Sequence, residues 1–148
     1  MKPRIVLATN VMLDLLLDRQ GCAEAARVLQ LQEDGKITAC LSILSMANLA
    51  YVLRKTVSPL QVIPTLKQIS AIVEVVPMDD RQLQRSLLLD GPDFEDILQA
   101  VCASENGCEC ILTRNARDFR IGKGLSDSAG LPRVQTPGAY LESIFNKE

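Results

Sequence analysis

Short apolar runs alternate with longer stretches of helical periodicity along this chain, and that alternation constrains the fold more than any other feature. "RIVLA" (4–8), "ITACL" (37–41), "AIVEVVP" (71–77) and "CECILT" (108–113) read as buried strands, and "RVQT" (133–136) as a short edge strand. A helical segment lies between successive strands, so each connection is a crossover and the strands run parallel. A parallel sheet must be covered on both faces. The expected fold is α/β: a three-layer α/β/α sandwich around a central parallel sheet of four to five strands. The 148 residues suit one core, so a single domain over 1–148 is expected.

Helix starts are marked by capping residues. Asn10 is expected to cap a helix over Val11–Leu17, and Ala23–Glu33 forms the next. Ser42 or Ser45 caps a helix to about Lys55, and Ser58-Pro59 opens another, with Pro in the first turn. Asp79 or Asp80 starts a helix to about Leu89 that "DGP" (90–92) breaks, Asp93 starts one to about Glu105, and Pro137 opens a terminal helix. The one long irregular stretch is 115–132, of the length that functional loops have.

Hydrophobic residues make up 47% of the chain against 23% charged, far from the signature of disorder. With no Trp, two Tyr and three Phe, the core must be aliphatic and extensive stacking on single-stranded bases is disfavoured. A net charge of −2 disfavours bulk coating of DNA. The five cysteines are odd in number, and "CEC" (108–110) lacks the spacer of a redox or zinc pair, so they read as reduced thiols in a cytoplasmic protein. The apolar run Ile37–Leu53 contains Thr, Ser and Asn and is too short to span a membrane; no export signal precedes it.

The absence of His removes Ser-His and Cys-His catalysis, and no "GxSxG" or P-loop occurs. Carboxylates remain. Sites in parallel sheets form at the carboxyl ends of strands, near the point where strand order reverses. Those ends carry Ala8-Thr9-Asn10 and Thr113-Arg114-Asn115, with Asp118 close behind. Asp93 and Asp96 read either as caps at a helix start or as cleft residues; Ala100 and Ala103, at i+4 and i+7 from Asp96, leave small side chains around that carboxylate. Asn48 is a polar residue on an apolar helix, and Asp14 either faces the same cleft or solvates its helix. Arg114, Arg117, Arg120 and Lys123 recur every three residues, a spacing open to a solvated loop or to phosphate positioning.

"LATNVMLDLLLDR", "SMANLAYVLRK", "DFEDILQAVCASENGCECILTRNARDF" and "VQTPGAYL" together resemble, in order and spacing, the blocks of the PIN domain, in the branch of VapC-like toxins. The resemblance covers essentially the whole chain. It implies a ribonuclease dependent on Mg²⁺ or Mn²⁺, with Ala8 (Asp in the family), Asn48 (Glu or Asn), Asp96 and Asp118 at the catalytic positions and Asp96 and Asp118 as metal ligands. Thr9, Asn10, Thr113, Asn115, Arg114 and Arg117 would surround the RNA substrate. A cognate antitoxin protein and a homodimer are the implied partners, the dimer through the apolar helices after Ser42 and Ser58. Ala8 cannot ligate a metal, so the expected ribonuclease is inactive or impaired as written; the alternative is a non-catalytic PIN module that binds RNA or a protein partner.

Overall fold

The computed structural model describes residues 2–117, 119 and 130–146. Five strands form one sheet: β1 (Arg4–Leu7), β2 (Thr38–Ser42), β3 (Glu74–Val76), β4 (Cys110–Leu112) and β5 (Arg133–Gln135). Their spatial order is β3-β2-β1-β4-β5 and every pairing is parallel, with Ile5 opposite Ala39 on one side and Cys110 on the other. The expected parallel α/β architecture is therefore present. Winding runs outward from β1 to β3, then returns to the far side of β1 for β4 and β5. The reversal lies between β1 and β4, and the carboxyl ends of these two strands are where a crevice opens.

Side chains alternate across the sheet with period two. Ile5, Leu7, Ala39, Leu41, Cys110 and Leu112 face one layer, built from α1 (Thr9–Leu16), α2 (Cys22–Glu33), α3 (Ile43–Thr56), α4 (Pro59–Ile72) and α7 (Pro137–Phe145). Val6, Cys40, Val76 and Ile111 face the other, against Ala100, Cys102 and Ala103 of α6 (Phe94–Glu105), with α5 (Asp80–Leu87) packed on α6. Ala100 and Ala103 thus serve close packing of α6 on the sheet; they do not line a cleft, contrary to expectation. Four of the five free cysteines are buried, and burial pushes the Cys102 and Cys110 thiols up to about 11.

Several boundaries differ from those expected. Ala71 and Ile72 belong to α4, so β3 begins at Glu74: an apolar run of this length reads equally as helix end or strand start. Ser42 caps α3 by accepting from the Ser45 amide at 3.0 Å, and Asp79 caps α5 through the Gln82 amide at 3.0 Å. Asn10 does not cap α1. Ala8 holds that position in extended conformation (φ −67°, ψ 157°) with no side-chain bond, and Asn10 is the second residue of the helix.

A buried ion pair locks α1 to the end of β4. Asp14 is 3% exposed, and its Oδ1 receives Arg114 Nη1 at 2.5 Å. The carboxylate is pressed against the chain entering α2: a Cβ on Gly21 would lie 2.9 Å from Asp14 Oδ2, and Gly21 has φ +101°. Only glycine meets both demands. Asp14 therefore faces neither solvent nor the β1–β4 crevice.

Removing the cation from this pair leaves a buried carboxylate alone. Arg114→Met is expected to cost about 1–3 kcal/mol in urea unfolding, below the figure for a fully buried pair because the guanidinium is 44% exposed. Asp14→Leu combined with Arg114→Met should recover most of that loss, and a double variant as unstable as the single one would contradict the account.

Candidate functional site at the carboxyl ends of β1 and β4

The crevice predicted by the strand order is a cavity of about 330 Å³. Ala8, Thr9 and Asn10 enter from the end of β1 and the first turn of α1, Asn48 and Tyr51 from α3, Glu95, Asp96 and Gln99 from α6, and Thr113 from the end of β4. Six of the residues singled out from sequence thus share one cavity: Ala8, Thr9, Asn10, Asn48, Asp96 and Thr113. Arg114, Asn115 and Arg117 do not line it. All three are exposed, and Arg114 lines a separate cavity of about 420 Å³ with Asp14 and the starts of α2 and α7. Asp118, Arg120 and Lys123 lie outside the described residues.

Local chemistry sets each side chain. Asp93 caps α6, its Oδ1 accepting from the Glu95 amide at 2.9 Å and the Asp96 amide at 3.3 Å, so the Asp96 carboxylate is free of capping duty and turns to the cavity. Partial burial pushes Asp96 up to about 6, with the Asp93 and Glu95 carboxylates adding to the shift. Asn48 Nδ2 donates to Glu95 Oε1 at 2.5 Å, joining α3 to α6 across the opening.

Beneath these groups runs a hydrogen-bonded floor. Asn10 Nδ2 donates to Thr113 Oγ1 at 3.1 Å, while Asn10 Oδ1 accepts from the Arg114 amide at 3.1 Å. Thr113 Oγ1 also accepts from the Asn115 amide at 3.3 Å, which leaves its own O–H to donate. Ser45 Oγ meets Thr9 Oγ1 at 2.9 Å and Gln99 Nε2 at 2.8 Å. Gln99 is 5% exposed, and its Oε1 has no hydrogen-bond partner among the described residues.

Glu95 and Gln99 were not anticipated. The available signal was Gln99, a polar residue inside the apolar stretch "ILQAV", with Glu95 one turn before it.

The donors fit a hard divalent cation. Asp96 and Glu95 offer carboxylates, Asn48 and Gln99 amide oxygens, and no Cys or His lines the cavity. Mg²⁺ needs only one or two carboxylates beside water and substrate phosphate. The bare Gln99 oxygen is a buried acceptor that such an ion, or its bound water, would satisfy. Ala8 adds a methyl, and among the described residues no three acidic or thiol side chains converge in metal-binding geometry.

The sequence profile of the PIN domain matches residues 4–117. The chain belongs to the PIN domain family. Solved structures of similar fold include VapBC2 from Rickettsia felis bound to a DNA fragment from its promoter: 15% identity, TM-score 0.67, covering 90% of this chain and 98% of that one. DNA-bound VapBC from Salmonella typhimurium has 20% identity and a TM-score of 0.63 over 91% and 98% of the two chains. A toxin–antitoxin complex from Klebsiella pneumoniae has 20% identity and a TM-score of 0.62 over 90% and 97%. No curated protein sequence matches the chain. In this PIN domain, no helix among the described residues is long and apolar enough to cross a membrane.

The raised Asp96 sets a sign. Its folded value of about 6 exceeds the 3.8 of a free Asp, so the folded state binds the proton more tightly than the unfolded one. The penalty is fully present above about pH 6 and is relieved as pH falls toward 3.8. Without metal, Asp96→Asn should therefore stabilise the protein at pH 7 by about 1 kcal/mol, after discounting for solvent screening. In chelator-treated urea titrations that gain should shrink at pH 4.5; a gain that grows toward acid pH would refute the assignment.

Proposed function

We propose that this PIN domain is of the VapC toxin type, with its crevice built to bind RNA beside a divalent cation, Mg²⁺ or Mn²⁺, and with cleavage impaired by Ala8. One observation carries the reading: Ala8, Asn48 and Asp96, which stand at three of the four catalytic positions of the family pattern, meet in one cavity at the β1–β4 reversal. An ion held there by Asp96, with Asp118 completing the set, would activate water and stabilise charge on the phosphodiester. The chain's own groups do the positioning. The Thr113 hydroxyl has a free proton for a phosphate oxygen, Asn10 fixes Thr113, and Thr9 is fixed by Ser45. Asn115 and Arg117 lie on the exposed continuation of that strand end, where they would hold neighbouring phosphates without reading sequence, whereas Arg114 is engaged by Asp14.

Two partners belong to the same reading. The related structures from Rickettsia felis and Salmonella typhimurium are VapBC assemblies, which supports a cognate antitoxin for this chain. A homodimer is proposed through α3 and α4, where Tyr51, Leu60 (88% exposed) and Ile63 are exposed and Tyr51 lines a groove between the helices with Ala47, Pro59 and Val62. Light scattering at high protein concentration should report twice the chain mass, and a monomer would reject this interface. The methyl of Ala8 favours a second reading, a PIN module that binds RNA or protein and does not cut.

Ala8→Asp separates the two. Position 8 has N-cap geometry, so an Asp there gains about 1 kcal/mol from capping α1, which opposes its repulsion by Asp96. The metal-free melting temperature should therefore change little. With Mn²⁺ at about 100 times its dissociation constant, the variant should gain about 2.7 kcal/mol and cleave RNA. If neither the metal-dependent shift nor cleavage emerges, the non-catalytic reading stands in its place.

A further inference from the structure

Gln99 lines the crevice, and of the lining residues it alone carries a buried polar side-chain atom, its amide oxygen, with no hydrogen-bond partner among the described residues. A buried acceptor left bare is costly, so a cation or its bound water at that oxygen would stabilise the fold. The amide nitrogen already donates to Ser45 Oγ, and Ser45 is tied in turn to Thr9, which fixes the side chain from below. Nothing in the fold itself requires the oxygen to go unpaired.

On α6, Gln99 is four residues after Glu95 and three after Asp96, the two spacings that make helix surface neighbours. All three line the cavity that Ala8 also lines. Asn48 holds Glu95 by one carboxylate oxygen.

We propose that Gln99 is a cation-binding residue of this chain: its amide oxygen joins Asp96 and Glu95 in an oxygen-only site for one divalent ion. The inference rests on the metal-dependent reading of the crevice. Its physical basis is that hard cations accept neutral amide oxygens as well as carboxylates, and that two carboxylates with one amide repel one another less than three carboxylates do. The cost is affinity, because the site loses a formal charge.

The test is Mn²⁺ titration of the full chain, followed by electron paramagnetic resonance and by thermal melts. The protein should bind one Mn²⁺, and Asp96→Asn should abolish binding. Gln99→Met should weaken binding by about tenfold, the order expected when a metal site loses a supporting partner. Gln99→Glu should tighten it by a similar factor and raise the melting temperature only when Mn²⁺ is present. In an Ala8→Asp background the effect of Gln99→Met should be smaller, because a further carboxylate then shares the ion.

Unchanged affinity in Gln99→Met, with binding still lost in Asp96→Asn, would overturn the role of Gln99 and leave the metal-dependent reading intact. Binding seen only after Ala8→Asp would do the same. Mn²⁺ binding indifferent to Asp96→Asn would overturn both. Should Gln99→Met fail to fold, Gln99→Glu decides alone: no gain in Mn²⁺ affinity removes the proposal.

Discussion

Asn10 is the interaction on which the site depends. β1 and β4 lie side by side in the sheet, but the chain leaves them in different directions, into α1 and into the loop after Leu112. Ladder hydrogen bonds stop where the strands stop, so something else must hold those exits in register. Asn10 does so with both ends of its amide, and the Asp14–Arg114 pair repeats the tie one turn further along α1. Because Asn10 lies inside the helix, its orientation is set by the helix, and Thr113 is placed by consequence. A floor built this way is rigid without any contribution from position 8.

The groups around the crevice divide into those that hold each other and those that face the space. Thr9, Ser45, Asn10 and Thr113 are joined by hydrogen bonds of 2.9–3.1 Å and are at least half-buried. Asp96 and Glu95, by contrast, stand near each other with no cation among the described side chains lining the cavity. Burial and neighbouring acids disfavour the charged form of Asp96, and the fold tolerates that cost.

Much of this was legible in the sequence because the relevant signals are local. Alternation such as Ile5 and Leu7 against Val6 marks strands buried on both faces, and the Ser42, Ser58, Asp79 and Asp93 caps punctuate the helices. Illegible features depend on tertiary context. Asn10 is a better capping residue than Ala8, yet packing of β1 puts the cap at Ala8 and spends Asn10 on β4. Ala100 and Ala103 fit either a cleft or a close helix–sheet contact, and only the sheet face decides between them. Arg114 had the spacing of a phosphate ligand, but its partner, Asp14, is a hundred residues away.

Position 8 shows why a fold and its chemistry can be lost separately. The Ala8 amide donates to Leu112 O at 2.8 Å and its carbonyl accepts from the Val11 amide at 3.1 Å, so the backbone there is held by main-chain bonds that any residue makes. Its side chain bonds to nothing in the protein. An acidic residue at the same point would add a helix cap, worth about 1 kcal/mol, and repulsion from Asp96 of opposite sign. Those terms largely cancel, so stability exerts little pull on the identity of residue 8. Only a ligand in the crevice distinguishes a carboxylate from a methyl there.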